Sequence, residues 1–200
     1  MLYSIMNLIF ACDKKYGIGI NNKLPPWKIG GDLARFSKVT ICNGSNVVIM
    51  GKNTYLSLPN NYLKNRCNIV VSQTLFNEYS DNKWNMVIYD QEIEYCILNK
   101  TYIFNKFGQA YIYALNHITN FNNEVFGEIW VIGGSSIYDT AIEFNLVNKI
   151  YLTYIKKQYT CDVYLGKKTI NFLDESKITN IDYNNQFHYD EHENRIYNYN

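Results

Sequence analysis

Apolar and polar positions along this chain follow two periods, and one order recurs. Three times a β-branched apolar run meets a glycine and then a polar turn that opens a helical pattern. NLIFAC leads into KKYGIGINN, NVVIMG into KNTYLSL, and EIWVIGG into SSIYDTAIEF. Continuous apolar runs of this kind predict strands buried on both faces, as in a parallel sheet covered by helices. CNIVVSQT matches them without the glycine. KIYLTYI and NRIYNYN predict late strands, and the alternating FHYDEHENRIYNYN predicts a terminal antiparallel hairpin. Helices are expected after Asp32, from Lys52, around GQAYIYALNHI and after Gly134. The stretch 79–107 reads as an insertion, with WNMVIYD and TYIFN as candidate extra strands. Without repeats or Pro- or Ser-rich linkers, one domain is expected over residues 1–200.

At 200 residues and 47% hydrophobic content the chain can bury one substantial core. A formal charge of +1 lacks the basic footprint of a nucleic-acid or membrane-surface binder. The apolar start, Leu2 to Cys12, carries Asn7 and runs into DKK, with no basic lead and no small-residue cleavage site. It predicts a buried first strand rather than a signal peptide. No apolar run approaches a membrane span, so no membrane partner is expected. The five cysteines are widely spaced, odd in number and free of CxxC pairs. They read as reduced core residues of a cytoplasmic protein.

Two turns are shaped for phosphate. At VIGGSSIY paired glycines let the backbone approach a ligand, and the helix that follows presents unpaired N–H groups. At VIMGKNTY, Gly51 makes the approach, Lys52 brings a cation and Thr54 a hydroxyl. Either turn alone is a common connector; the pair suits a dinucleotide, whose phosphates are separated. GIGINN is a partial dinucleotide fingerprint without its third glycine, and reads as a loop able to close over a ligand. His188 and His192 are four apart, yet the segment reads as strand and turn with no further ligand nearby, so no metal is expected.

Asp32 poses the sharper question. It shares one helical face with Arg35, Phe36 and Val39, at i, i+3, i+4 and i+7. One reading makes it a helix cap worth about 1 kcal/mol. The other makes it a carboxylate in an apolar pocket that pairs with a planar, amidine-like ligand, flanked by Trp27 and Phe36. Pattern alone leaves both open.

Taken in order, LIFACDKKYGIGINNKLPPW, GGDLARFSKVT, VVIMGKNTYLSLP, LKNRCNIVVSQT, EIWVIGGSSIY and IYLTYI resemble the dihydrofolate reductases. The resemblance implies a three-layer α/β/α fold with a mostly parallel eight-stranded sheet and an antiparallel C-terminal hairpin. It implies NADPH-dependent hydride transfer to C6 of 7,8-dihydrofolate, with the N5 proton coming from water. Asp32 would grip the pteridine edge, Thr153 orient that acid, and Trp27 place a water nearby. Ile9, Phe36, Ile132 and Tyr138 would line the pteridine, Leu58 and Leu63 the aminobenzoyl ring, and Arg66 would pair with the glutamate α-carboxylate. Gly133, Gly134, Ser135, Ser136 and Ile137 match the pyrophosphate turn, whose glycine–glycine peptide is cis in the family. Gly51, Lys52, Asn53 and Thr54 match the second phosphate turn, with Ser72 and Gln73 following. Ala11, Ile18 and Gly19 match nicotinamide contacts. Antifolates are implied ligands, and a thymidylate synthase, separate or fused, an implied partner.

The chain departs from the family pattern in four places. LPPW carries an extra proline, and Tyr55 stands where tryptophan is common. Gln73 replaces a frequent arginine beside the 2′-phosphate, which narrows the margin of NADPH over NADH. The segment between Gln73 and Gly127 is longer than usual. Two other classes remain open here: a reductase of the same fold acting on a ribosylaminopyrimidine, and a non-catalytic binding module.

Overall fold

A computed structural model gives the structure of the protein, and it describes residues 6–27, 29, 31–41, 45–80, 88–90, 93–119, 125–176, 178–181 and 192–198. The chain opens with β1 (Met6–Asp13), β2 (Gly17–Gly19) and α1 (Asp32–Ile41). Then come β3 (Val47–Gly51), α2 (Lys52–Ser57), β4 (Cys67–Val71) and α3 (Gln73–Ser80). β5 (Ile88–Asp90), β6 (Ile93–Leu98), β7 (Thr101–Phe104) and α4 (Phe107–His117) follow. β8 (Ile129–Gly133), α5 (Ser135–Glu143) and β9 (Val147–Ile155) come next. The chain ends with β10 (Val163–Tyr164), α6 (Lys167–Glu175), β11 (Ile178–Ile181) and β12 (His192–Asn198).

These elements gather into two compact units. The first comprises Met1–Val39 and Val131–Asn200, the second Thr40–Trp130. In the first, strands lie in the order β11-β12-β9-β1. β1 and β9 run parallel, with Ile9 opposite Tyr151 and Ala11 opposite Thr153. β12 runs antiparallel to β9 and sets Asn194 opposite Thr153. β11 and β12 form an antiparallel C-terminal hairpin, but its first strand is Ile178–Ile181, ahead of the FHYDEHENRIYNYN stretch expected to hold both strands. Its connection, with His188, lies outside the described residues, as does the side chain of His192. The continuous apolar run of β1 is explained by burial: Met6, Leu8 and Cys12 are fully enclosed.

In the second unit the order is β3-β4-β7-β6-β5. β3, β4 and β7 are parallel neighbours, and β7, β6 and β5 add antiparallel pairs. Every residue of β3 is buried, as an uninterrupted VVIMG requires. Among its described residues the stretch 79–107 thus supplies β5, β6 and β7, of which β6 was not expected. Tyr95, Tyr102, Phe104 and Tyr113 bind β6, β7 and α4 together, with ring centroids 4.8 to 5.7 Å apart.

Four further elements escaped the periodicity. α3 starts at Ser72, whose hydroxyl accepts from the Leu75 N–H at 3.2 Å, a cap without a glycine before it. β2 and β10 form a ladder of only two residue pairs. The N-terminus of α6 is satisfied by Asp139, whose carboxylate accepts from Thr169 N at 3.0 Å and Thr169 Oγ1 at 2.7 Å, from thirty residues away in sequence.

Candidate active site

In the first unit, α1 begins where the Arg35 N–H bonds back to the Gly31 carbonyl at 2.8 Å. Gly31 is therefore the cap, at a φ of 83° that favours glycine. Asp32 is the first helical residue, and its carboxylate turns to β9 instead. Thr153 Oγ1 donates to Asp32 Oδ1 at 2.7 Å. Asp32 is thus a half-buried carboxylate held by a hydroxyl from another strand, while Gly31 takes the cap position. Thr153 itself is buried, on a strand whose register also faces Ala11.

The first unit also holds Trp27, Phe36, Ile132, Tyr138 and the glycine pair, each placed by contacts of its own. Trp27 is half-buried and meets Tyr159 edge-on at 5.9 Å, and its backbone N–H donates to the Pro25 carbonyl at 2.7 Å. The extra proline of LPPW thus leaves Trp27 anchored. Tyr138 donates its hydroxyl to the Ile9 carbonyl at 3.1 Å and packs against Phe10. It has no water to ionise into, and burial pushes its hydroxyl far above the usual tyrosine range. Phe36 and Ile132 are half-buried. The Gly133–Gly134 peptide is cis, Gly133 has a φ of 117°, and α5 begins directly after it. Gly134 caps α5 with its carbonyl only, which accepts from Ile137 N and Tyr138 N, and no side chain caps the helix. Its first N–H groups, those of Ser135 and Ser136, have no intrahelical acceptor by helix geometry, which suits an anion.

Ile18 and Gly19 lie on β2, in a loop tied down by a residue that motif reading passed over. Asp13 is fully buried. Its Oδ1 accepts from Lys15 N and Gly17 N, and its Oδ2 from Tyr159 N, each at 2.8 Å. The loop closes so tightly that a Cβ on Gly17 would lie 2.5 Å from Cys161 Sγ. The only sequence signal was a carboxylate at the end of an apolar strand, ahead of KKYGIG.

In the second unit, α2 starts at Gly51 without a side-chain cap. Lys52 Nζ lies 3.4 Å from Thr74 Oγ1, which is 3.1 Å from Ser72 Oγ. Lys52, Ser72 and Thr74 therefore form one polar cluster, and Thr74 joins it unforeseen. Gln73 is exposed but bonded along its own helix, Nε2 to Asn77 Oδ1 at 2.8 Å. Asn53 is exposed and Thr54 half-buried on α2. Tyr55, in the tryptophan-like position, packs inward at 2% exposure.

Arg66 is held in place by two of its own donors: Nη1 to Thr40 Oγ1 at 2.8 Å and Nε to the Lys64 carbonyl at 3.0 Å. Partial burial lowers its pKa, a direction that any anionic partner would oppose. The loop before it is fixed by Asn68, which bonds both the N–H and the carbonyl of Leu63. Leu58 and Leu63 are half-buried. Large apolar side chains are also left open on helices of this set, Leu33 at 68% and Leu56 at 53% exposure. Leu33 follows Asp32 directly, and helical periodicity gave no reason to single out an exposed leucine.

Among the described residues no cluster of His, Cys, Asp and Glu could hold a metal ion. Cys12, Cys67, Cys96 and Cys161 are free thiols. Burial pushes Cys12 and Cys67 up to about 12. Among the described residues no helix is long and apolar enough to cross a membrane.

Comparison with known proteins adds to this geometry. The family model described as dihydrofolate reductase matches residues 5–197. A dihydrofolate reductase of Heliothis virescens is 31% identical over 182 residues, covering 86% of each chain. A putative dihydrofolate reductase of Caenorhabditis elegans is 35% identical over 181 residues, covering 88% of this chain and 83% of its own. A bifunctional dihydrofolate reductase-thymidylate synthase of Paramecium tetraurelia is 27% identical over 184 residues; that match covers 92% of this chain and 33% of the relative.

Proposed function

Because the chain belongs to the dihydrofolate reductase family, we propose that its chemistry is organised around Asp32. The protein is an NADPH-dependent oxidoreductase that reduces 7,8-dihydrofolate to tetrahydrofolate. Its fold class is the expected α/β one, with the antiparallel C-terminal hairpin in place. A family match running across both units supports reading the chain as one domain, with the strands between 79 and 107 as its insertion.

The observation that carries the site assignment is the 2.7 Å bond from Thr153 to Asp32. A carboxylate aimed by a buried hydroxyl presents two acceptor oxygens in a fixed plane, which matches the paired N3 and 2-amino donors of a pteridine. Asp32 holds that edge and stabilises positive charge developing on the ring. Ile9, Phe36, Ile132 and Tyr138 line the ring, Leu33 joins them, and Trp27 positions water. Leu58 and Leu63 take the aminobenzoyl group. Arg66, whose place is fixed by its Nη1 and Nε bonds, pairs with the glutamate α-carboxylate.

The residues fit NADPH. α5 and α2 both start without a side-chain cap, the first behind a glycine pair and the second beside Lys52. α6, by contrast, has its N-terminus filled by Asp139. When bound, NADPH supplies the hydride that is added at C6. Gly133, Gly134, Ser135, Ser136 and Ile137 hold the pyrophosphate. Gly51, Lys52, Asn53, Thr54, Ser72 and Gln73, with Thr74, hold the adenosine phosphate. Ala11, Ile18 and Gly19 line the nicotinamide. The free thiols of Cys12, Cys67, Cys96 and Cys161, the cysteines among the described residues, support a reducing compartment, the cytoplasm. A thymidylate synthase, fused or separate, is the partner that its product serves, in keeping with the bifunctional relatives.

Purified protein mixed with NADPH and dihydrofolate tests this reading. Loss of NADPH absorbance with formation of tetrahydrofolate, blocked by methotrexate, is the expected result. Turnover of a ribosylaminopyrimidine but not of dihydrofolate would overturn it.

A further inference from the structure

Arg35 is 7% exposed, a burial that a guanidinium tolerates only when polar groups surround it. It lies one helical turn after Asp32 on the same face, and nothing in the assigned reaction uses it. Its Nη1 reaches Thr153 Oγ1 at 3.4 Å, a long but charge-assisted contact, and its guanidinium carbon lies 6.0 Å from the centre of the Tyr151 ring. From the other side, Asn194 on β12 is buried and its Oδ1 lies 3.1 Å from the same Thr153 oxygen. The third neighbour of that oxygen is Asp32. On β1 the residue opposite Thr153 is Ala11, which offers no polar side chain.

Counting donors decides how these contacts work. A threonine hydroxyl has one hydrogen and two lone pairs. Asp32, as a carboxylate, can only accept, so it takes the hydrogen at the shortest of the three distances. Arg35 can only donate, so it occupies one lone pair. Asn194 is left with the other; its Oδ1 faces a hydroxyl whose one hydrogen is already used, so the network requires the amide turned over to present Nδ2. In this arrangement the hydroxyl cannot swing away from Asp32 without setting its hydrogen against a cation or an amide donor.

We propose that Arg35 and Asn194 are positioning residues that act on Asp32 through Thr153, locking the Thr153 hydrogen onto the carboxylate that grips the pteridine. The proposal rests on the reductase reading above and adds to it. Arg35 touches neither substrate nor cofactor; its effect is on the direction and rigidity of one hydroxyl.

A double-mutant cycle on methotrexate affinity tests it, with Arg35→Met, Thr153→Val and the double variant in the full chain, and with NADPH affinity as control. Arg35→Met is expected to weaken methotrexate about tenfold and to leave NADPH affinity unchanged. With Thr153 already valine, the same change should cost less than about twofold, because the group it acts through is gone. Arg35→Lys should recover part of the loss. Additive losses would overturn the proposal, as would equal weakening of methotrexate and NADPH. Should Arg35→Met fail to fold, Asn194→Val takes its place in the same cycle with the same expected and contrary results. A wild-type chain that binds no methotrexate at all would instead overturn the reductase reading.

Discussion

Replacing Asp13 by asparagine changes one atom type and should cost about 3 kcal/mol of stability. The carboxylate is fully buried and receives three backbone N–H groups, those of Lys15, Gly17 and Tyr159, each at 2.8 Å. Asparagine keeps one acceptor oxygen. If that oxygen faces Lys15 and Gly17, the new NH2 meets the Tyr159 donor, so one charge-assisted bond is lost and two drop to neutral strength. The other amide orientation is worse, since two backbone donors would then oppose the NH2. One bond to a charged group is worth about 1.5–3 kcal/mol, and the two weakened ones add a smaller amount. Urea unfolding followed by tryptophan fluorescence measures the change. With a slope of about 2 kcal/mol per molar, the midpoint should fall by about 1.5 M. A loss under about 1 kcal/mol would mean that water or a shifted loop satisfies these donors, and that Asp13 does not clamp the Ile18–Gly19 loop.

Arg66→Ala should weaken dihydrofolate or methotrexate binding by about ten- to a hundredfold while leaving NADPH binding within about twofold, as expected for one desolvated charge-assisted contact. Paired titrations of the two ligands read this out, and equal losses would indicate a folding defect. Alkylation with iodoacetamide at pH 8 should spare Cys12 and Cys67 in the native protein. With thiols pushed up to about 12, only ~1 part in 10,000 is thiolate at that pH, and unfolding in urea should release both. Mass spectrometry of the labelled peptides is the measurement, and rapid native labelling of either would contradict their burial. Gly17→Ala should destabilise by about 1–3 kcal/mol, because its Cβ would lie 2.5 Å from Cys161 Sγ and 2.8 Å from Cys161 Cβ. Cys161→Gly should recover most of that loss in thermal melts.

The strands with unbroken apolar runs were readable because a two-sided burial leaves no polar alternation, as β1, β3 and β8 show. The paired glycines were readable because a φ of 117° at Gly133 admits few other residues. Asp32 was ambiguous for a physical reason. Whether a first-turn acid caps its own helix or turns outward depends on what a strand 121 residues away presents to it, and Thr153 decided that. The same limit hid Asp13, Asn194 and Thr74, whose partners are brought to them only by the folded loops and strands around them. β6 was missed because IEYCIL mixes a charge into a buried strand, and its cover, the tyrosine cluster with Tyr95 at its centre, arises only once α4 packs beside it.

The central claim is that Asp32 grips the substrate ring and stabilises the charge it develops. The most direct test is the rate of hydride transfer in Asp32→Asn, measured in a single turnover with NADPH and dihydrofolate at neutral pH, beside urea unfolding of the same variant. The account predicts an unchanged unfolding midpoint and a rate lower by about a hundredfold or more. A variant that folds normally and transfers hydride at the wild-type rate would contradict it.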